Sequence, residues 1–180
     1  SPVGCAVFAY YYLDCGNIQA AHGRAPAVAT GLSRAEDNAI LISYQGDGDL
    51  AAIGGNHFIH AARRNIDMTV VCMNNQIYGM TGGQVAPTTP FGAKTTTTPY
   101  GSFEYPLDVT KLVVGAGASY AARWTTAYGE HLKDSLKKAL TTKGFAFVEA
   151  ASPCPTAFGR RMGFKDVAEM ARWFKDNSVP

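Results

Sequence analysis

The sequence lacks long apolar runs and blocks of like charge. No apolar stretch approaches the roughly 20 residues that a membrane-spanning helix needs, so we expect no membrane segment. The formal net charge is only +2, and the longest like-charge neighbours are pairs such as Arg63-Arg64. Nucleic-acid-binding domains carry basic stripes, which are missing here. The N-terminal residues also lack a charged leader, and a signal peptide is not expected.

Paired cysteine motifs are missing as well. The four cysteines form no Cys-x-x-Cys pair, which argues against a zinc ribbon. Their spacing is unlike that of a secreted disulfide scaffold, so we expect a reducing, cytoplasmic setting. Cys72 lies in an apolar strand pattern and is predicted to be a buried core thiol.

The chain is long enough for one domain with a sizeable core. It has 180 residues, 47% of them hydrophobic, which predicts a single domain over 1–180. The first residues read as the middle of a domain. We therefore expect the full protein to have further residues upstream, and downstream of Val179-Pro180.

Helical and strand patterns alternate, which predicts an α/β fold with a mostly parallel sheet flanked by helices. Helices are predicted over 25–35, 49–64, 126–142 and 165–177, with a further one from an N-cap at Asp108 through Val114. Strands are predicted over 39–44, 68–73, 119–123 and 145–150. Residues 74–105 are predicted to be a long structureless loop, and loops of that length tend to be functional.

Polar clusters follow two of the predicted strands. The first strand runs into Gln45-Gly46-Asp47-Gly48-Asp49, and the next runs into Asn74-Asn75. The 25 residues between Gly48 and Asn74 accommodate one helix and a returning parallel strand. Both clusters are therefore expected at the carboxyl edge of the sheet, where ligands of open α/β sheets bind.

The residue types in these clusters suit a diphosphate with a metal ion. Glycines allow close backbone approach, and a helix beginning at Asp49 would present free N–H groups to an anion. Asp47 and Asn75 offer the oxygen ligands that Mg²⁺ prefers. Either cluster alone could be an ordinary turn. A dinucleotide site is a poorer interpretation, because no Gly-x-Gly-x-x-Gly follows the first strand.

The wider sequence resembles a known family. Gly-Asp-Gly followed after 25 residues by Asn-Asn is similar to the fingerprint of thiamine-diphosphate enzymes. Four segments in order resemble the beta subunit of 2-oxoacid:ferredoxin oxidoreductases: HGRAPAVATG (22–31), GDGDLAAIGGNHFIHAARRN (46–65), NNQIYGMTGGQ (74–84) and SPCPT (152–156). The resemblance covers essentially the whole chain and implies a thiamine-diphosphate-binding fold.

The resemblance also implies roles for particular residues. The Mg²⁺ ligands of the family match Asp47, Asn75 and the main-chain carbonyl of Ile77. The positions that contact the cofactor match Gly4, Cys5, His22, Gly46, Gly48, Asp49, Gly79, Met80 and Thr81. His22 is the candidate catalytic residue, expected to contact cofactor or substrate. The alternative for His22 is that it orients a loop.

The family further implies an iron-sulfur cluster and partner proteins. Two ligands of a 4Fe-4S cluster match Cys5 and Cys154, and the other two belong to a Cys-x-x-Cys upstream of the equivalent of Ser1. Ala6 departs from the pattern, since relatives often carry serine there. The implied reaction is oxidative decarboxylation of a 2-oxoacid to an acyl-CoA and CO₂, with electrons passing to ferredoxin. An alpha subunit would supply the pyrimidine-binding domain and its glutamate.

Two other functions stay open. A non-oxidative thiamine-diphosphate-dependent decarboxylase or synthase would share the Gly-Asp-Gly and Asn-Asn clusters but leaves Cys5 and SPCPT unexplained. A non-catalytic assembly subunit is disfavoured by the intact Asp47 and Asn75. The substrate is expected to be 2-oxoisovalerate or 2-oxoglutarate rather than pyruvate, because residues 74–89 and 94–101 resemble those members more. Of the two, 2-oxoisovalerate is favoured.

Overall fold

The computed structural model describes residues 1–178, which form an α/β structure. The strands are β1 (Ile42–Gly46), β2 (Met68–Asn74), β3 (Ile77–Tyr78), β4 (Gln84–Val85), β5 (Tyr120–Thr125) and β6 (Phe145–Ala151). The helices are α1 (Ala25–Ala35), α2 (Gly55–Arg63), α3 (Val109–Gly115), α4 (Gly129–Thr141) and α5 (Val167–Asp176). Short 3-10 turns cover Cys5–Tyr11 and Thr126–Tyr128, and π-helical turns cover Gly48–Ile53 and Pro155–Gly159. None of the described helices is both long and apolar enough to cross a membrane.

A four-stranded parallel sheet in the order β1-β2-β6-β5 organises the chain, which confirms the predicted fold class. The two central strands are buried almost throughout, because parallel sheets are covered on both faces. On one face, Phe58 of α2 packs against Phe145 and Phe147 of β6, with ring centroids 6.0 and 5.3 Å apart. These rings form the centre of the largest hydrophobic cluster.

The first strand is displaced from its predicted position. It was expected over 39–44, but β1 covers Ile42–Gly46 and lies at the edge of the sheet. Ile40 and Ile42 are therefore 72% and 49% exposed rather than buried. An apolar run alone could not distinguish an edge strand from a central one.

The prediction of one continuous helix over 49–64 is wrong. A π-helical turn over Gly48–Ile53 comes first, the chain bends at Gly54, and α2 follows. A Cβ at position 54 would lie 2.8 Å from the carbonyl oxygens of both Asp49 and Gly23. Close packing of these three backbone segments interrupts the helix, although the apolar spacing of the sequence continues through it.

The long loop is more ordered than predicted. Strands β3 and β4 pair within it as an antiparallel hairpin. Thr88 and Thr89 are buried and hydrogen-bond to Asp47 and to the carbonyl of Gln76. Asp108 caps α3 as predicted, accepting a hydrogen bond from the N–H of Lys111 at 3.0 Å. The loop thus packs against the carboxyl edge of the sheet.

Candidate functional site

A cavity of about 360 Å³ lies at the carboxyl edge of β1, β2 and β6. The site residues predicted from the sequence come from five separate segments of the chain, and all of them line this cavity. Those lining it are Gly4, Cys5, His22, Gly46, Asp47, Gly48, Asp49, Asn75, Ile77, Gly79, Met80, Thr81 and Cys154. The structure therefore places all the predicted residues around one space.

Asp47 follows β1 and is 1% exposed. Its carboxylate accepts hydrogen bonds from the Thr88 hydroxyl and from the N–H of Asn75, at 2.5 and 3.4 Å. Among residues 1–178 it forms no salt bridge. Burial raises its pKa to about 6, although these hydrogen bonds act in the opposite direction. A buried carboxylate without a cation is a suitable ligand for a divalent metal ion.

Asn75 and Ile77 lie beside Asp47 in a tight turn after β2. The N–H of Ile77 donates to the side-chain oxygen of Asn75 at 3.2 Å. Gln76, between them, has a φ of 63°, which is uncommon for a residue other than glycine. An amide oxygen has two lone pairs, so Asn75 could accept this hydrogen bond and also ligate a metal ion. Asp47 and Asn75 are thus in contact, and both carry oxygens that suit a metal ion.

The two glycines around Asp47 serve different purposes. A Cβ at Gly46 would meet nothing within 4 Å, so the backbone there is open. A Cβ at Gly48 would overlap the ring of Tyr78, whose hydroxyl donates to the Gly48 carbonyl at 3.0 Å. Gly48 is therefore required by the packing of Tyr78 over the π-helical turn. Tyr78 was not predicted to belong to the site.

His22 and Asp49 form a pair in which Asp49 is buried and the His22 side chain is 32% exposed. Asp49, 3% exposed, contacts Nδ1 of His22 and accepts a hydrogen bond from the N–H of Gly23 at 2.7 Å. Its other oxygen accepts from the Gln45 side chain, which in turn accepts from the Ser43 hydroxyl at 2.8 Å. Both oxygens of Asp49 are therefore occupied by protein groups. The carboxylate orients His22 and leaves the histidine Nε2 available to a ligand.

The sulfur atoms of Cys5 and Cys154 both lie beside Gly79. A Cβ at position 79 would lie 3.6 Å from Sγ of Cys154 and 3.7 Å from Sγ of Cys5. Cys15 is exposed and Cys72 is buried in the core, as predicted, and neither lines the cavity. In the described part of the chain, no three His, Cys, Asp or Glu side chains form a metal site. The two sulfur atoms are thus suited to half of a cluster site.

The surroundings of Cys154 favour its thiolate. Burial alone would raise the pKa of this thiol, but hydrogen bonds from Thr156, Ala157 and Phe158 lower the pKa overall. The Thr156 hydroxyl and the N–H of Ala157 each lie 3.4 Å from the sulfur. Thiolates are the usual ligands of iron-sulfur clusters, so this environment suits such a role.

A second group of buried polar residues, around Glu149, was not predicted from the sequence. Glu149 of β6 is 2% exposed and is bonded to Asn74, Thr110 and Arg123. The available signal was a glutamate in the middle of the apolar run FAFVEAA, since charged residues are almost never fully buried unless paired. The partners could not be identified, because they lie on three other elements.

The fold and the cavity together define a thiamine-diphosphate-binding domain of the α/β class. Residues 3–150 match the family described as thiamine pyrophosphate enzyme, C-terminal TPP binding domain, and the chain belongs to this family. It is 52% identical over 179 residues to 2-oxoglutarate synthase subunit KorB of Methanocaldococcus jannaschii, covering 99% of this chain and 66% of that protein. It is 53% identical over 168 residues to ketoisovalerate oxidoreductase subunit VorA of Methanothermobacter thermautotrophicus, covering 87% and 35%.

A solved structure agrees with these relatives. The 2-oxoglutarate:ferredoxin oxidoreductase from Magnetococcus marinus, with 2-oxoglutarate, coenzyme A and succinyl-CoA bound, matches with a TM-score of 0.84 and 38% identity. The match covers 87% of this chain and 54% of that chain. The predicted resemblance to 2-oxoacid:ferredoxin oxidoreductases is thereby confirmed. The chain spans less than two thirds of the length of each of these three proteins.

Proposed function

We propose that this chain is the thiamine-diphosphate-binding beta subunit of an oxidoreductase that converts a 2-oxoacid to an acyl-CoA and CO₂. Electrons would pass through an iron-sulfur cluster to ferredoxin. The observation that carries this proposal is that the Cys5 and Cys154 sulfur atoms both lie beside Gly79, in the same cavity as Asp47 and Asn75. A non-oxidative enzyme of this fold has no use for two cysteines at that place.

Different residues of the cavity would bind different parts of the cofactor. Asp47, Asn75 and the carbonyl of Ile77 would hold Mg²⁺, and the open backbone at Gly46 would admit the diphosphate. When bound, thiamine diphosphate supplies the electron sink that a decarboxylation needs. Cys5 and Cys154 would supply two cluster ligands, with the remaining two outside this chain.

His22 is proposed as the catalytic residue of this chain. Asp49 holds its Nδ1, so Nε2 is free to exchange a hydrogen bond or a proton with a molecule in the cavity. The N–H of Gly23 donates to the same Asp49 oxygen and so fixes the carboxylate that holds the ring. In this arrangement Asp49 acts through His22 and does not itself need to contact the diphosphate.

The relatives support the substrate class. Two are described as a 2-oxoglutarate synthase and a ketoisovalerate oxidoreductase, and the solved structure contains coenzyme A. A 2-oxoacid and coenzyme A are therefore the proposed substrates. The partners are an alpha subunit, which completes the cofactor site, and ferredoxin. The choice between 2-oxoglutarate and 2-oxoisovalerate, and the cytoplasmic location, stay predictions.

The test compares two cysteine variants in the complex of all subunits. Cys154→Ala should lower the iron content and severely reduce electron transfer to ferredoxin, while thiamine diphosphate still binds. Cys15→Ala is the matched control, because Cys15 is an exposed thiol away from the cavity. Full iron and full ferredoxin reduction in Cys154→Ala would refute the oxidoreductase and favour a non-oxidative enzyme.

A further inference from the structure

Glu149 lies in the central strand β6 as a buried carboxylate. Its Oε2 accepts hydrogen bonds from Nε of Arg123 at 2.7 Å and from the Thr110 hydroxyl at 2.5 Å. Arg123 is held from its other side by Asp108, the N-cap of α3. The carboxylate side of the pair is buried, while the Arg123 side chain is 42% exposed. A buried carboxylate requires partners, and Arg123 and Thr110 satisfy one of its two oxygens.

The other oxygen of Glu149 is connected, through the Asn74 side chain, to the loop that lines the cavity. Oε1 accepts a hydrogen bond from Nδ2 of Asn74 at 2.7 Å. The side-chain oxygen of Asn74 then accepts from the N–H of Gln76 at 3.0 Å. The Asn74 amide is thus fixed at both ends. If it flipped, its oxygen would face the carboxylate of Glu149 and its NH₂ group would face the N–H of Gln76.

Gln76 is the residue whose conformation decides where its neighbours point. Its φ of 63° lies in the left-handed region, which disfavours residues with a side chain. Its N–H is held by Asn74, and its carbonyl accepts from the Thr89 hydroxyl at 2.6 Å. Asn75 and Ile77, on either side, are the candidate metal ligands. We call residues 75–77 the metal loop.

We propose that Glu149, acting through Asn74, is a positioning residue that holds the metal loop ready for Mg²⁺. The proposal rests on the proposed function, in which Asn75 and Ile77 ligate the ion. Glu149 does not contact the cavity itself. Its charge is balanced by Arg123, so its effect on the metal passes through one hydrogen bond to Asn74.

The polarity of that hydrogen bond suggests a swap experiment. Glu149→Gln places an amide among three donors, which belong to Asn74, Thr110 and Arg123. The NH₂ group of the new glutamine must then face one of these donors instead of accepting from it. Asn74→Asp sets two carboxylates against each other. In the double variant the glutamine at position 149 donates to the carboxylate at position 74, so the hydrogen bond is restored in the reverse direction. The total charge equals that of the wild type. The carboxylate at position 74 can still accept from Gln76.

Two readouts on the complex of all subunits follow the metal loop. The first is the affinity for Mg²⁺ at saturating thiamine diphosphate, measured by calorimetric titration. The second is hydrogen exchange of the peptide containing Gln76 and Ile77, measured without metal or cofactor. Each single variant should weaken Mg²⁺ binding by about tenfold or more, which is typical for groups that orient metal ligands, and should speed exchange. The double variant should recover most of both.

Thr110→Val is the matched control. It removes one hydrogen bond from the same carboxylate but leaves the bond between Glu149 and Asn74 in place. It should lower the thermal stability without changing Mg²⁺ affinity or exchange in the metal loop.

Two outcomes would overturn the proposal. One is that the single variants lose stability but keep wild-type Mg²⁺ affinity and exchange. The other is a double variant no better than the worse single one. If the wild-type complex binds no Mg²⁺ with thiamine diphosphate, the proposed function fails. The exchange measurement then still shows whether Glu149 holds residues 75–77.

Discussion

Replacing Asp47 by asparagine should stabilise the metal-free protein while abolishing its response to Mg²⁺. Burial raises the Asp47 pKa from 3.8 to about 6, which corresponds to about 3 kcal/mol at roughly 1.4 kcal/mol per pKa unit. The folded-state pKa is the higher one, so the protonated form is favoured by folding. Ionisation of the buried Asp47 carboxyl therefore destabilises the metal-free fold. This destabilisation grows as the pH rises from about 4 through 6, and it is fully present at pH 7.

Asparagine keeps the shape of Asp47 without the charge. Its oxygen can accept from the N–H of Asn75, and its NH₂ group can donate to the Thr88 hydroxyl, so both existing contacts persist. Most of the 3 kcal/mol penalty should therefore be relieved at pH 7, and little of it at pH 4, where the wild-type carboxyl is already protonated.

The assay is unfolding of the complex of all subunits at pH 4 and pH 8, with and without Mg²⁺ and thiamine diphosphate. The wild type should gain stability on adding both, since a ligand that binds only the folded state stabilises it. Asp47→Asn should be more stable than the wild type without metal and should gain nothing from Mg²⁺. Asp134→Asn, on the exposed face of α4, is the control. A variant less stable than the wild type at pH 8 without metal would refute the reasoning.

Three further predictions concern single side chains. Gly48→Ala should displace the Tyr78 ring and strongly weaken thiamine diphosphate binding in a titration, whereas Gly46→Ala should fold normally because the space there is open. Asp49→Asn should lower kcat with little change in Mg²⁺ affinity, because it disturbs the His22 ring rather than a metal ligand; unchanged kinetics would contradict the assignment. Phe147→Ala should lower the free energy of unfolding by about 3–5 kcal/mol in a denaturant titration, and a loss below 1 kcal/mol would show that the core is assigned wrongly.

The sequence was sufficient for the central part of the fold. Residues 68–73 and 145–150 are apolar throughout or nearly so, and such runs form the buried strands of parallel sheets. Both polar clusters follow directly from that arrangement, since parallel strands end at the same edge. Asp47 and Asn75 therefore lie together as predicted.

The parts that were not predicted depend on contacts between distant segments. The break at Gly54 arises from the backbone of Gly23, and the role of Gly48 arises from the Tyr78 ring. The 3-10 turn over Cys5–Tyr11 has no clear periodicity in the sequence. Each of these features requires knowledge of which residue packs where, and local patterns do not contain that information.

Asn74 is hydrogen-bonded both to the metal loop and to the segment that carries Cys154. Its side chain holds the N–H of Gln76 and so the metal loop, while its main-chain carbonyl accepts from the N–H of Ser152 at 2.8 Å. Ser152 begins the short segment that ends at Cys154. One residue at the end of β2 therefore fixes both the candidate Mg²⁺ ligands and the candidate cluster ligand. Under the proposed function, electron transfer depends on the distance between cofactor and cluster, and a shared support at Asn74 would help to hold that distance constant.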